Sequence, residues 1–280
     1  LSSFFQKLAL GTVQFGLDYG ISNNLGQTPI VEVEKILNYA YQKGIKTLDT
    51  AYAYGSSETV LGQLHKDRFD IVTKFMPESD GASIQAQFEI SLGRLSQKKI
   101  YGYLSHRPLD LLENIHVWRY LLKLKEEEKI SKIGFSLNHP NEYILLKQNG
   151  FIPDLVQFPF NYFDNRFLKI IDDLKEIGCE IHTRSTFLQG LFFMNPIELS
   201  QHFSQVKQHI SGIQEACQSD LAKCLLKYVI EQDFIDKVVI GVQNLNQLIE
   251  NTESLNTKMS LKRFSGHIDD SILQPSNWVL

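Results

Sequence analysis

Short apolar or β-branched runs alternate with longer amphipathic stretches from one end of the chain to the other. This alternation marks parallel βα units, because a strand covered on both faces reads as a continuous apolar run while each covering helix shows one apolar stripe. Eight such pairs are legible, with strands expected at 8–12, 47–49, 71–74, 101–106, 133–136, 155–158, 180–184 and 237–241. The first long helix, 31–43, sets Val33, Ile36, Leu37, Ala40 and Tyr41 on one face and stops before Gly44, a residue suited to a left-handed cap. Helices at 83–95, 117–128 and 167–177 follow the same logic. The pairs predict an α/β chain closed as a (β/α)8 TIM barrel, one domain across 1–280. A longer stretch at 191–212 and a tail from Met259 onward are expected to form extra loops or helices over the barrel ends.

Composition narrows the function classes. Hydrophobic residues make up 43% of the 280 and charged residues 21%, enough for a large core, so disorder is not expected. A formal charge of −4 without a Lys/Arg cluster gives no case for a nucleic-acid or anionic-membrane partner. The one charge run, KLKEEEK at 123–129, mixes signs as a solvated helix face does. No segment approaches the roughly 20 apolar residues of a membrane span. The opening LSSFFQKLAL has neither a basic stretch nor a secretory cleavage site, so a cytoplasmic location is expected. Cys179, Cys217 and Cys224 form no CxxC or Cys/His spacing; reduced packing cysteines and no metal site are expected.

Loops that follow barrel strands converge on one mouth, so chemistry is sought at the C-terminal strand ends. Asp49 ends the second strand in LDTAYAYG, Lys74 the third in IVTKF and His106 the fourth in YLSHRP, with Tyr54 on the loop after Asp49. Taken singly these residues have ordinary explanations: a helix cap, a solvated lysine, a structural histidine, a loop aromatic. On adjacent strand ends they put a carboxylate, an ammonium, an imidazole and a phenol within reach of one another, a set suited to proton transfer. A phenol titrates near ~10 in water, so a neighbouring cation is needed before it trades protons near neutrality. Lys74 would supply that cation, Asp49 would keep it charged, and His106 would direct a hydrogen bond at the reacting oxygen. The absence of a Ser or Cys nucleophile and of a carboxylate pair fits poorly with acyl transfer or glycoside hydrolysis. Carbonyl protonation coupled to hydride delivery fits well, given a cofactor.

The chain resembles the aldo-keto reductases over nearly its whole length and in the family's order. LALGTVQFG resembles the first strand, LDTAYAYGSSE the Asp/Tyr segment, TKF the lysine strand and LSHRP the histidine strand. KISKIGFSLNH, VQFPFNYFDNR, RSTFLQGLF and VVIGVQNLNQLIEN resemble the later strands that build the cofactor site. The resemblance implies that Asp49, Tyr54, Lys74 and His106 are catalytic, with Tyr54 the general acid in reduction and general base in oxidation. Family members that reduce a steroid double bond carry Glu at the histidine position, so His106 implies carbonyl and alcohol chemistry. The cofactor implied is NAD(P)(H), with NADP versus NAD undecided. Ser136 and Gln157 match positions that hold the nicotinamide carboxamide, and Gly11 and Thr12 match the strand beside it. The loop with Arg184, Ser185, Gln189 and Gly190, and the helix start after Gly241 with Gln247 and Asn251, match the phosphate cradle.

Three departures stand out. Where many members have Ser-Asn, this chain reads Ser136, Leu137, Asn138; where an aromatic stacks under the nicotinamide, it has Arg184; and the last loop, Gly241 to Asn244, lacks the basic clamp for an adenosine 2'-phosphate, so NADH use is open. The leading expectation is an oxidoreductase acting on a small carbonyl or alcohol. A cofactor-binding regulatory or sensor protein with little turnover is the second, and a metal-dependent lyase or hydrolase built on Asp49 and His106 the third. The segments GLDYGISNNLGQTP and TRSTFLQGL resemble a bacterial subgroup associated with surface-sugar biosynthesis, which suggests a sugar-related substrate. Phe15, Tyr19, Phe75, Arg107 and Phe160 would line the mouth, or equally pack as loop residues. Oligomeric state and reaction direction are not legible.

Overall fold

Runs such as LALG, TLD and LVQFP bury every residue, because one face of each strand meets the barrel interior and the other meets a helix. The computed structural model describes residues 2–65, 67–253 and 260–278. Eight strands, β1 (Leu8–Gly11), β2 (Thr47–Asp49), β3 (Asp70–Phe75), β4 (Ile100–Ser105), β5 (Ile130–Ser136), β6 (Leu155–Pro159), β7 (Glu180–Arg184) and β8 (Lys237–Gly241), close in sequence order into a parallel barrel. Gly11 of β1 pairs with Asp49 on one side and Gly241 on the other, which closes the ring. Each strand sits within one or a few residues of its expected range. β1 and β4 stop one residue early, yet Thr12 N still donates to Asp49 O (3.0 Å) and His106 N to Phe75 O (3.0 Å). The interstrand bonds therefore outlast the strand dihedrals by one residue, and they fix the two positions that open the mouth.

Helix α1 (Ser2–Lys7) precedes β1, and α2 (Ile30–Lys43), α3 (Ser57–Leu64), α4 (Ile84–Leu95), α5 (Ile115–Glu126), α6 (Pro140–Gln148) and α7 (Ile171–Glu176) follow the successive strands. Gly44 caps α2 at φ 91°, a conformation open to glycine without a Cβ clash. The helix expected at 167–177 divides into a tight turn, Arg166–Ile170, and α7. Phe167 and Ile170 lie three apart and are both buried, a spacing that the tighter 3-10 turn places on one side. Inside the barrel Val72, Leu104 and Leu155 pack together. β5 approaches β6 closely because residue 134 is glycine: a Cβ there would lie 1.7 Å from Leu155 O. Near the start of the strands the Glu180 carboxylate binds His182 Nε2 (2.6 Å), Lys132 Nζ (2.9 Å) and Tyr101 Oη (2.7 Å) and so seals the barrel floor.

The stretch expected to extend the barrel after β7 forms α8 (Ser204–Cys217), then α9 (Leu221–Ile230) leads into β8. α10 (Leu245–Thr252) follows β8, and the tail carries α11 (Asp270–Leu273); Met259 lies outside the described residues. A second apolar cluster joins Leu188, Leu191 and Phe192 of the β7 loop to Phe203, Val206 and Ile210 and to Ile272 and Leu273 of the tail. Cys179, Cys217 and Cys224 are free and buried. No helix among the described residues is long and apolar enough to cross a membrane.

Candidate active site

Asp49, the last residue of β2, projects a nearly buried carboxylate into the top of the barrel. Lys74, on β3, spends all three ammonium hydrogens close by: on Asp49 Oδ1 (2.8 Å), on Asp49 Oδ2 (2.8 Å) and on Thr50 O (2.9 Å). Gln157, on β6 across the barrel, donates from Nε2 to Asp49 Oδ1 at 2.7 Å. Burial lowers the Lys74 pKa, and the Asp49 charge and hydrogen bonds oppose that shift. A buried ion pair of this kind holds together through its hydrogen bonds, since either charge alone would be strongly penalised.

Tyr54 reaches this pair from the β2–α3 loop, with Lys74 Nζ 5.2 Å from its ring centroid. The loop is fixed from three sides. Ser57 Oγ bonds Thr12 O (2.8 Å) and lies 3.1 Å from Thr50 Oγ1. Buried Glu58 accepts from Thr73 Oγ1 (2.8 Å) and pairs with Arg94 (3.4 Å). Gly16 presses its backbone against Tyr54, where a Cβ would fall 1.9 Å from Tyr54 O and 2.4 Å from Ser57 N. Ser57 and Glu58 were missed as positioning groups from sequence; a carboxylate on the inward face of an amphipathic helix was the available signal.

His106 opens the loop after β4 and meets Tyr54 edge to face, with ring centroids 5.9 Å apart. Burial, then the charges of Lys74, Arg184 and Arg107, lower its pKa to about 3, so the imidazole is neutral at ordinary pH. Its Nδ1 is buried without a hydrogen-bond partner among the described residues. Burial, then the Asp49 charge, raises the Tyr54 pKa above that of a free tyrosine, while Arg184 draws it down. At neutral pH the phenol therefore carries its proton.

The residues expected around a dinucleotide lie along the same rim. Ser136 pairs with Gln157 in the β5–β6 register. Thr12 Oγ1 is committed to Asp49 O (2.9 Å), and Gly11 stacks beside Gly241, against which Gln14 packs. Ser185, Leu188 and Gln189 adopt positive φ (65°, 44° and 52°), as does Gly190. Three such non-glycine residues in one turn cost of order 1 kcal/mol or more each and persist because Leu188, Leu191 and Phe192 anchor the loop in the second apolar cluster. Gln189 Nε2 also donates to Tyr19 Oη (2.8 Å), tying this loop to the one after β1. Asn244 caps α10 by accepting from Gln247 N (2.9 Å), and Gln247 Oε1 accepts from Gln243 N (2.8 Å); Asn251 lies near the end of α10, away from its N-terminus. Of the two readings open for the mouth residues, packing holds for the three phenylalanines. Phe15, Phe75 and Phe160 are 0%, 3% and 1% exposed and pack into the main core, where the Phe75 ring, at the end of β3, meets Tyr103 and the Phe160 ring meets Phe234. Tyr19 does face outward, and Arg107 pairs with Asp80 at 3.1 Å.

Among the described residues Gln157 Oε1, His106 Nδ1, Gln14 Oε1 and Thr186 Oγ1 are buried without a hydrogen-bond partner. Buried polar groups are nearly always bonded, so Gln157 Oε1 and His106 Nδ1 beside the Asp49–Lys74 pair fit a polar ligand that completes them, although Ser91, Tyr103, His182 and Thr183 also carry unpartnered buried atoms. Among the described residues no group of three or more His, Cys, Asp or Glu side chains could hold a metal.

Comparison with known proteins agrees with this architecture. The profile of the Aldo/keto reductase family matches residues 7–269. YqkF of Bacillus subtilis, an oxidoreductase by name, is 25% identical over 275 residues, spanning 85% of this chain and 88% of its own. An aldo-keto reductase of Mycobacterium sp. strain JLS is 31% identical over 140 residues, 47% of this chain and 50% of its own. The solved structure of aldo-keto reductase AKR11C1 from Bacillus halodurans superposes with a TM-score of 0.68 at 20% identity, covering 91% and 88% of the two chains, and so shares the fold. With its closed barrel and a family match across most of its length, this chain belongs to the aldo/keto reductase family and is an oxidoreductase of that type.

Proposed function

We propose that the chain, acting as one unit across 1–280, interconverts a small carbonyl and its alcohol with NAD(P)(H), and that Tyr54 moves the proton. The observation that carries this reading is the clustering of a protonated, half-buried phenol and a neutral imidazole above a carboxylate and ammonium already bonded to each other. A bound nicotinamide would supply or accept the hydride. The chain's own groups do the rest. Tyr54 Oη and the His106 ring meet the carbonyl oxygen and fix its orientation. As charge grows on that oxygen, Tyr54 donates its proton, and Lys74 stabilises the phenolate left behind through space, since its hydrogens stay on Asp49 and Thr50. Asp49 keeps Lys74 protonated. The protonated Tyr54 phenol is the form that acts as acid in reduction, and the phenolate it leaves is the form that acts as base in oxidation.

The rim residues supply the cofactor site in this reading. Gln157 Oε1, with Ser136, would accept from the carboxamide, and Gly11 and Thr12 would flank the ring. Ser185, Gln189 and Gly190, with Gly241 and the N-terminus of α10 at Gln247, would surround the phosphates, with Asn251 toward the adenosine. A cytoplasmic reductase of a sugar-related carbonyl is the setting the sequence favours. The test replaces Tyr54 with Phe and follows NADPH and NADH consumption with an aldehyde and ketone panel, alongside cofactor binding by fluorescence. Turnover should fall by about 10²-fold or more with binding retained. Unchanged turnover would remove Tyr54 from the chemistry. Tight cofactor binding by the wild type with no turnover of any panel member would instead indicate a cofactor sensor.

A further inference from the structure

Arg184 ends β7, and its partly exposed side chain crosses β6 to the loop after β5. There Nη2 donates to Leu137 O (3.1 Å) and Asn138 Oδ1 (2.6 Å), while Nη1 makes only a long contact with Ser185 Oγ (3.4 Å). Every one of these acceptors is neutral. The other cations of the mouth are matched: Lys74 by Asp49 at 2.8 Å and Arg107 by Asp80 at 3.1 Å. Among the described residues no carboxylate pairs with Arg184. Among the described residues of the mouth, Arg184 is therefore a positive charge without a counter-ion, on a guanidinium that neighbouring backbone and amide groups hold in place.

A partly desolvated guanidinium with donors to spare gains most from an anion, because a charge-assisted bond recovers the hydration it has lost. Its position decides which part of a ligand supplies that anion. Arg184 ends β7 two residues past His182, which pairs with Gln157, the residue bonded to Asp49, so the guanidinium lies at the same mouth as the proton-transfer centre; its charge also helps to lower the His106 pKa. Asn138 and Leu137 hold it on the β5 side of the mouth, and Ser185 is its contact to the loop after β7. An anion bound there would lie beside the carbonyl that Tyr54 and His106 address.

We propose that Arg184 selects carbonyl substrates bearing a carboxylate near the reacting group, such as oxo acids or oxidised sugar acids. This rests on the reductase reading above and names its substrate class. Neutral carbonyls fill the same mouth but leave the guanidinium without its counter-ion.

The experiment uses two aldehydes of nearly equal shape and opposite charge state, 4-carboxybenzaldehyde and its methyl ester. The readout is the ratio of their kcat/KM values in wild type, Arg184→Gln and Arg184→Lys. A defect in cofactor binding affects both aldehydes alike and cancels in the ratio, as does their intrinsic reactivity when variants are compared. The wild-type ratio should exceed that of Arg184→Gln by about 10- to 100-fold, the usual value of a hydrogen bond to a charged group. Arg184→Lys should fall between them, and 0.5 M salt should shrink the wild-type ratio. Equal ratios in wild type and Arg184→Gln, with both aldehydes reduced, overturn the proposal and leave the reductase reading standing. Wild type that reduces other aldehydes or ketones but not 4-carboxybenzaldehyde also overturns the proposal, and wild type that reduces no aldehyde or ketone overturns the two together.

Discussion

Replacing Lys74 with Met removes an ammonium that is 1% exposed and leaves the Asp49 carboxylate with a single strong partner, Gln157 Nε2 at 2.7 Å. Stranding one charge of a buried, hydrogen-bonded pair costs about 3–5 kcal/mol. A chain of 280 residues unfolds with an entropy of roughly 0.6 kcal/mol/K at about 2.1 cal/mol/K per residue, so the midpoint should fall by about 5–8 °C. The double variant Lys74→Met/Asp49→Asn is more telling. The carboxamide that replaces the Asp49 carboxylate would be neutral and would still accept from Gln157, so the stranded charge disappears while the packing and the 2.7 Å bond remain. Differential scanning calorimetry should show the double variant recovering at least half of the lost stability, a coupling expected for groups in direct contact. Turnover should stay near background in both, because neither retains the cation beside Tyr54. A Lys74→Met midpoint equal to wild type, or a double variant less stable than the single one, would refute the claim that the two side chains form one buried ion pair.

Three further outcomes follow from the same geometry. Gly16→Ala should cost more activity than stability, because its Cβ would collide with Tyr54 O and push the phenol out of place; paired kcat and thermal-melt measurements check this. The His106 pKa is depressed to about 3, below the ~6.5 of an unfolded histidine, so its contribution is fully present above pH ~6.5 and declines as pH falls toward 3. Urea titrations should therefore show wild type losing roughly 2 kcal/mol more than His106→Gln between pH 7.5 and pH 5. The loop Gly241 to Asn244 presents amides where a 2'-phosphate would need cations, so NADH and NADPH should bind within about 10-fold of each other by fluorescence titration; a much stronger NADPH preference would show a phosphate clamp elsewhere.

The barrel was legible because its signal is one-dimensional. Each strand is a buried run bounded by a helix of opposite periodicity, and the strand ends then place Asp49, Lys74 and His106 side by side with no further information. What escaped the sequence depends on side chains meeting across the ring. Nothing in VQFP indicates that Gln157 reaches over the barrel to Asp49, and nothing in RSTF indicates that Arg184 bends back to Asn138 and Leu137. Phe15, Phe75 and Phe160, which the sequence leaves open to either a mouth or a packing role, turn into the core for the same reason. Their direction is set by partners such as Tyr103 for Phe75 and Phe234 for Phe160, which lie far away in the chain. The split of the 167–177 helix shows that three-residue spacing of buried side chains, read from one sequence, serves a 3-10 turn as well as an α-helix.

The most direct test of a phenol acting beside a hydride donor is isotopic. NADPH carrying deuterium at C4 on one face or the other is incubated with an aldehyde that the wild type reduces, and the alcohol is weighed by mass spectrometry. One deuterium on the carbinol carbon, from one labelled face only and lost together with turnover in Tyr54→Phe, is the expected result. Alcohol formed without label from either face, or with label at full rate in Tyr54→Phe, would contradict it.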